Sequence, residues 1–318
     1  MTRTIPASPG SSPPGRAGGA PLLEVVDLHT EFATRRGVVR AVDGASLTVR
    51  HGEAVGLVGE SGCGKSALAL SIMGLIEPPG RVSAGRVLFE GEDLLARPAA
   101  EMRRLRGQAL SMIFQDPTAT LNPVLPVGRQ IAEVVRHHRG ASAREARARA
   151  MEMLRLVGIP SPEQRYGRYP HEFSGGMQQR VIIACALVLG PRLVIADEPT
   201  TALDVTIQSQ ILDLLRDLQA GAAGTAVVLI SHDLGVVAEM CERVYVMYAG
   251  NVVETGPTAE ILERPQHPYT AGLLASIPRL DVEDQALAPI PGAVADPLRP
   301  PAGCKFHPRC PHAFDRCR

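Results

Sequence analysis

The fold is decided by Gly59-Glu60-Ser61-Gly62-Cys63-Gly64-Lys65-Ser66. An apolar run at 54–58 precedes this stretch, and a helical-looking segment at 67–73 follows it. This order of strand, glycine-rich loop and helix fits the pattern G-x-x-x-x-G-K-[ST] at every fixed position, which argues against an ordinary glycine-rich turn. In such a loop the backbone N–H groups turn inward and hold a polyphosphate at the positive end of the helix. Lys65 would reach the β- and γ-phosphates, and the Ser66 hydroxyl would bind Mg²⁺.

Composition limits the class of protein. The chain has 318 residues, and its 33 Lys and Arg balance its 33 Asp and Glu. This neutral balance argues against a dedicated nucleic-acid binder. The longest uncharged apolar run, at about 181–191, is shorter than the ~20 residues that span a bilayer, and the N-terminus shows no signal-peptide pattern. We therefore expect a cytoplasmic chain whose six cysteines are reduced or metal-bound.

The pattern along the chain predicts an α/β fold with additions. Residues 1–20 are rich in Ser, Pro and Gly and are predicted to be a disordered tail. A nucleotide-binding domain is expected at 21–265, with a helical insertion at about 117–180, followed by an extension at 266–318. Helical periodicity is strongest at 127–138 and 141–157. The second of these helices is rich in arginine, and we interpret it as a solvated surface paired with nearby glutamates.

Three further strand ends carry polar side chains. Gln115 follows the buried strand at 109–114, where it is either a polar edge residue or a group facing a metal and an attacking water. Asp197 and Glu198 end a second apolar run, and His232 follows a third. Asp197 would belong to the Mg²⁺ shell, Glu198 would polarise the attacking water, and His232 would sense the γ-phosphate.

A second anion-binding turn lies in the middle of the chain. Ser174-Gly175-Gly176 opens a strongly apolar helix, a geometry that favours anions but is a weak signal alone.

Taken in order, these motifs resemble those of the ATP-binding subunit of an ABC transporter. The resemblance runs from about residue 22 to 263. It consists of the Walker A loop (Gly59 to Ser66), the Q-loop (Gln115), the signature (Ser174, Gly175, Gly176), Walker B (Leu193 to Asp197), the catalytic glutamate (Glu198), the D-loop (Ala202, Leu203, Asp204) and the switch histidine (His232). It implies a RecA-like P-loop core with an N-terminal antiparallel β subdomain, a helical insertion subdomain and a C-terminal cysteine-containing extension.

The sequence departs from the family pattern at two points. Met177 stands where the commonest signature has glutamine, as in the variant of peptide importers. No clear adenine-stacking aromatic precedes the P-loop. Phe32 is the nearest candidate, and it is equally well explained as a strand core residue, with Arg36 or Val39 as substitutes.

The resemblance also implies a mechanism. Two such subunits sandwich two ATP molecules head to tail, so that the P-loop of one faces the signature of the other and Asp204 lies near the nucleotide. Ser66, Gln115 and Asp197 are the implied Mg²⁺ residues. Hydrolysis would be transmitted to membrane-spanning subunits through the helical insertion near Gln115.

The tail narrows the resemblance. Residues 267–278 are similar to the extension of dipeptide and oligopeptide importers, which nickel, glutathione and microcin-type importers share. Cys304, Cys310 and Cys317 resemble the cysteine tail of the same subfamily, which can bind a [4Fe–4S] cluster with four cysteines. Three readings stay open here: a cluster with a further ligand, a zinc site that includes His307 or His312, and free thiols.

We therefore expect an ATPase that energises peptide import from the cytoplasmic face of the cell membrane. Its expected partners are a second, paralogous ATPase subunit, two permease subunits and, indirectly, an extracytoplasmic peptide-binding protein, with no nucleic acid. The competing readings are a related importer, a soluble ABC ATPase of translation or DNA repair, an exporter subunit and an iron–sulfur sensor.

Overall fold

The computed structural model describes residues 20–200, 205–221, 224–276 and 289–318. The predicted disordered tail at 1–20 lies almost entirely outside these ranges, as do the D-loop residues Ala202, Leu203 and Asp204.

Two sheets form the body of the protein. The strands are β1 (Leu23–Thr34), β2 (Gly37–Val49), β3 (Ala54–Val58), β4 (Gly80–Phe89), β5 (Glu92–Asp93), β6 (Leu110–Ile113), β7 (Leu193–Asp197), β8 (Ala226–Ile230), β9 (Arg243–Tyr248) and β10 (Asn251–Pro257). An antiparallel sheet has the order β2-β1-β4-β5, and a six-stranded sheet has the order β10-β9-β3-β8-β7-β6. Within the larger sheet β6, β7, β8, β3 and β9 are parallel, and β10 joins one edge antiparallel.

Eleven α-helices surround or extend the sheets in the described ranges. They are α1 (Lys65–Ile72), α2 (Ala99–Gln108), α3 (Pro117–Thr120), α4 (Val127–Arg139), α5 (Ala143–Leu156), α6 (Pro162–Arg165), α7 (Gly175–Leu187), α8 (Val205–Ala220), α9 (Leu234–Met240), α10 (Thr258–Glu263) and α11 (Pro268–Ala275). None of the described helices is both long and apolar enough to cross a bilayer.

The parallel strands form where the sequence is continuously apolar. All five residues of β3, of β7 and of β8 are buried, as expected for strands covered on both faces. Alternate residues then enter two separate cores. Leu193 and Ile195 pack with the antiparallel sheet and α1, whereas Val194 and Ala196 pack with the helical part of the chain. Because these strands are parallel, their carboxyl ends lie along the same edge of the sheet.

Helices α3 to α6 form the inserted helical region. Its longest member, α5, begins with a reciprocal capping box between Ser142 and Glu145, which satisfies N–H groups at the helix start. The apolar helix α7 is buried along most of its length and packs against α3, α4 and α5.

The C-terminal extension packs back onto the core. Tyr269 on α11 and Phe306 near the C-terminus are 0% and 2% exposed, and both belong to the core that contains the helical region. Their rings are 5.4 Å apart, and each lies near the ring of Tyr248 at the end of β9. The extension is therefore part of the folded body beside β9.

Candidate active site

The glycine-rich loop joins β3 to α1, as predicted. Gly59 and Gly64 have positive φ angles of 152° and 107°. A Cβ atom would lie 2.2 Å from the Met247 carbonyl oxygen at Gly59 and 2.1 Å from the Ala41 carbonyl oxygen at Gly64. Both positions therefore require glycine. Ser61, Gly62 and Ser66 are exposed, so the outer surface of the loop is open to a ligand.

Lys65 lies beneath this loop. Its side chain is buried, and Nζ donates hydrogen bonds to the carbonyl oxygens of Gly59 at 2.7 Å and Glu60 at 3.1 Å. Cys63 is buried beside it, with Sγ 3.7 Å from Nζ. The lysine thus places a positive charge inside the curl of the loop.

Asp197 is the end of β7 and faces the start of α1. Burial raises the pKa of its carboxyl group and the neighbouring Glu198 adds to the rise, while a hydrogen bond with Ser66 opposes it. Its Oδ1 atom is buried and has no hydrogen-bond partner among the residues that the structure describes. An unsatisfied buried carboxylate oxygen beside a serine hydroxyl fits the oxygen ligands that Mg²⁺ prefers.

Glu198 connects three neighbouring strand ends. Its Oε2 accepts a hydrogen bond of 2.9 Å from Gln115 Nε2 and lies 3.4 Å from His232 Nδ1. These residues follow β6, β7 and β8, which are adjacent in the sheet, so parallel pairing explains the cluster. Glu198 has a φ of 47°, a conformation that non-glycine residues adopt at a cost and that is frequent at functional sites.

The predicted signature opens helix α7. Ser174 accepts a hydrogen bond from the Met177 N–H and caps its own helix, α7, with Gly175 and Gly176 in the first turn. This helix packs against α3, α4 and α5 of the helical region and also against β6, the neighbour of the strand that ends in Asp197.

The three C-terminal cysteines do not form the predicted metal site. Cys304, Cys310 and Cys317 are all free thiols and half-buried. Within the described ranges, no three His, Cys, Asp or Glu side chains are grouped so that they could hold a metal ion. His307 is instead engaged by the Cys304 carbonyl oxygen, 2.9 Å from its Nδ1. The residues as placed fit neither a cluster nor zinc.

Of the adenine-stacking candidates, Phe32 is half-buried within β1, and a Cβ atom at Gly80 would lie 2.5 Å from its ring. Its ring therefore packs against β4, although Phe32 belongs to neither core cluster of the described residues.

Sequence reasoning missed the residues that hold the loop from behind. Glu60 receives hydrogen bonds from Arg309, and its N–H donates to the Tyr269 hydroxyl. Both partners lie in the C-terminal extension, and nothing in the sequence indicates that either contacts the phosphate loop. A contact across 249 residues leaves no local pattern that could reveal it.

A strand, a lysine-bearing glycine loop, a buried acid and a cluster of polar strand ends define a P-loop nucleotide-binding protein. Comparisons with known proteins narrow this class. Residues 42–201 match the family described as ABC transporter. Residues 253–317 match the family described as oligopeptide/dipeptide transporter, C-terminal region.

Relatives and solved structures agree. The chain is 51% identical over 297 residues to the dipeptide transport ATP-binding protein DppD of Bacillus subtilis, covering 93% of this chain and 88% of that protein. It is 50% identical over 296 residues to the oligopeptide transport ATP-binding protein OppD of Salmonella typhimurium, with coverage of 93% and 88%. The solved dimer of the ATP-binding cassette MJ0796, bound to ADP and Pi, matches with a TM-score of 0.68 and 28% identity, covering 74% of this chain and 98% of the cassette.

The chain therefore belongs to the ABC transporter family, and the predicted fold of P-loop core, antiparallel β subdomain and helices is confirmed. Family membership implies ATP hydrolysis with ATP and Mg²⁺.

Proposed function

We propose that this protein is the ATP-hydrolysing subunit that energises import of dipeptides or oligopeptides through an ABC transporter. The observation that carries the proposal is identity of about 50% to DppD and OppD over 93% of the chain, including the C-terminal region of that transporter class. The named activity of these relatives is peptide transport, and the fold of this chain places the same extension against its nucleotide loop.

The residues of the site divide the chemistry between them. Lys65 and the amides of 59–66 would hold the phosphates, and Ser66, Asp197 and Gln115 would hold Mg²⁺, which would supply positive charge to the triphosphate. Glu198 accepts a proton from the attacking water, and Gln115 and His232 orient its carboxylate through their contacts with Oε2. The positive φ of Glu198 directs its side chain from the end of β7 toward those two groups.

The site needs a second subunit for completion. The anion-binding turn at Ser174 caps a helix on the helical region, which supports a role in covering the nucleotide of another ATPase subunit. We propose a paralogous ATPase as that partner, with Asp204 at the same interface. Two permease subunits would anchor the pair at the cytoplasmic face of the membrane, and a peptide-binding protein would deliver the solute.

Peptide uptake by cells that lack this chain tests the proposal. Cells carrying the wild-type protein should accumulate a labelled dipeptide, whereas cells carrying Lys65→Ala should not, and uptake of a free amino acid should be equal in both. Equal dipeptide uptake in the two strains would overturn the assignment to peptide import.

A further inference from the structure

The phosphate loop contains a carboxylate that its own task does not explain. Glu60 is the second residue of the loop, directly before the exposed Ser61. A negative charge beside a bound triphosphate is repulsive, and the repulsion is stronger where protein replaces water. A positive charge paired with Glu60 would offset this repulsion, and Lys65 donates to the loop carbonyls and not to the Glu60 carboxylate.

Arg309 supplies that charge from the far end of the chain. Its NH1 donates to Glu60 Oε2 at 2.8 Å and its NH2 donates to Glu60 Oε1 at 3.0 Å, a bidentate pair. The Arg309 side chain is 4% exposed and that of Glu60 is 26% exposed, so water screens the pair weakly. The hydrogen bond to Glu60 raises the pKa of Arg309, and the guanidinium is a permanent positive charge beside the carboxylate.

The surroundings hold Arg309 in this position. Its Nε donates to the Pro291 carbonyl oxygen at 3.0 Å, and its guanidinium lies 5.8 and 5.9 Å from the ring centroids of Tyr248 and Phe306. Because the carbonyl and the two rings already hold the guanidinium, Arg309 loses little conformational freedom when it binds Glu60.

The backbone of Glu60 is held as well. Its N–H donates to the Tyr269 hydroxyl at 2.8 Å, and Tyr269 is fully buried between Tyr248 and Phe306. A second anchor lies nearby, where Lys305 Nζ contacts Asp43 Oδ2 at 2.7 Å and the Ala249 carbonyl oxygen at 2.8 Å. The extension therefore fixes Glu60 twice: Tyr269 holds its peptide N–H and Arg309 holds its carboxylate.

We propose that Arg309 is a positioning residue of the nucleotide site, which neutralises Glu60 and holds it away from the triphosphate. MgATP affinity of this chain then depends on the C-terminal extension, although the extension supplies no group to the phosphates. The inference rests on the proposed nucleotide-binding function and adds the extension to that site.

Equilibrium binding of radiolabelled MgATP to the full chain tests the proposal by a double-mutant cycle. Arg309→Gln should weaken binding by roughly tenfold, since contacting charged residues couple by about that much. Glu60→Gln provides the background, because it removes the carboxylate that Arg309 neutralises. The double variant should bind within about threefold of Glu60→Gln alone, because no unpaired carboxylate is left beside the phosphates.

Two variants separate this role from folding. Arg243→Gln removes an equivalent bidentate arginine, which binds Glu53 at 3.0 and 2.9 Å at the opposite end of β3, and it should retain MgATP affinity. Arg309→Lys keeps the charge and should bind MgATP more tightly than Arg309→Gln, which provides a readout if the glutamine variant does not fold.

Each outcome decides a different point. Rescue of affinity in the double variant supports the proposal. Unchanged affinity in Arg309→Gln, equal losses in Arg309→Gln and Arg309→Lys, or a double variant as weak as Arg309→Gln would overturn it. If the wild-type chain itself did not bind MgATP, the proposed function would fail together with this inference, whereas wild-type binding without rescue would reject the inference alone.

Discussion

The two halves of the site differ in where their support comes from. The phosphate loop is held from behind by Arg309, whose side chain is 4% exposed, and by the fully buried Tyr269. The proposed catalytic cluster is held by neighbouring strand ends, and the His232 side chain beside Glu198 is 61% exposed. The phosphate loop is therefore supported by buried residues of this chain, and we call it the closed half of the site. The cluster that includes His232 is exposed on one side, and we call it the open half. This difference agrees with the proposal that hydrolysis requires a second ATPase subunit.

The largest expected effect is on turnover, at the open half. Glu198→Gln should lower the ATP hydrolysis rate by roughly 10²–10⁴-fold, the usual contribution of a general base, while MgATP binding persists. Steady-state hydrolysis and nucleotide retention measure the two separately, and the closed pair of subunits should accumulate with ATP. Glu239→Gln, which changes an exposed glutamate paired with Arg216, is the matched control. Turnover near the wild-type rate in Glu198→Gln would remove this residue as the base.

The next effect is on affinity, at the closed half. Lys65→Ala should weaken MgATP binding by about 30-fold or more, because losing one partner of a buried charge interaction costs roughly 2–5 kcal/mol. Equilibrium binding provides the measurement. The chain's only other lysine, Lys305, offers the control, and Lys305→Ala should cost much less because it contacts Asp43 rather than the loop. Equal losses in the two variants would contradict the phosphate-loop assignment.

Much of the fold and of the candidate site could be predicted from the sequence. The P-loop and the polar strand ends follow from local patterns, because β3, β7 and β8 are apolar runs ended by distinctive residues. The antiparallel subdomain was implied by the family resemblance. Adjacency of Gln115, Glu198 and His232 follows once the sheet order is known.

The contacts of the C-terminal extension could not be predicted, because they depend on packing between segments that are far apart in the sequence. The pairing of Arg309 with Glu60 joins residues 249 positions apart, and spacing carries no record of it. The three readings of the cysteine tail stayed open for a related reason. The pattern of Cys304, Cys310 and Cys317 says nothing about where the three thiols point, and in the described residues they form no metal group.

A smaller effect is expected on stability, where the Tyr269 hydroxyl supports the phosphate loop. Tyr269→Phe should lower the free energy of unfolding by roughly 1–3 kcal/mol, because the Glu60 N–H loses its acceptor in a poorly hydrated place. Urea denaturation without nucleotide measures this loss. Tyr169→Phe, at a tyrosine that is 40% exposed, should change stability little. Equal stability of both variants would show that Tyr269 does not anchor the loop.

The smallest expected effect is a gain. Burial raises the pKa of Asp197, so its ionisation destabilises the nucleotide-free protein as pH rises above the unfolded value of about 3.9. Asp197→Asn should raise the thermal midpoint at pH 7.5 by a few degrees, since ~1 kcal/mol shifts a large domain by roughly 2–4 °C. The gain should shrink as pH falls through about 4 and vanish at about pH 3, because the wild-type carboxyl then becomes protonated in both states.

Asp213→Asn is the control for this gain, because Asp213 is an exposed carboxylate paired with Arg216 and should show no such rise. A lower thermal midpoint in Asp197→Asn at neutral pH would contradict the interpretation that burial of the ionised Asp197 carboxylate destabilises the nucleotide-free protein. The same variant should also weaken the Mg²⁺ dependence of ATP binding.

The central claim is that the loop at 59–66 holds a triphosphate whose cleavage Glu198 assists. A crystal structure with Mg²⁺ and a non-hydrolysable ATP analogue tests it most directly. The account predicts the β- and γ-phosphates on the loop amides within hydrogen-bond reach of Lys65 Nζ, with Mg²⁺ on the Ser66 hydroxyl. An analogue bound elsewhere on the chain, with this loop free of phosphate, would contradict it.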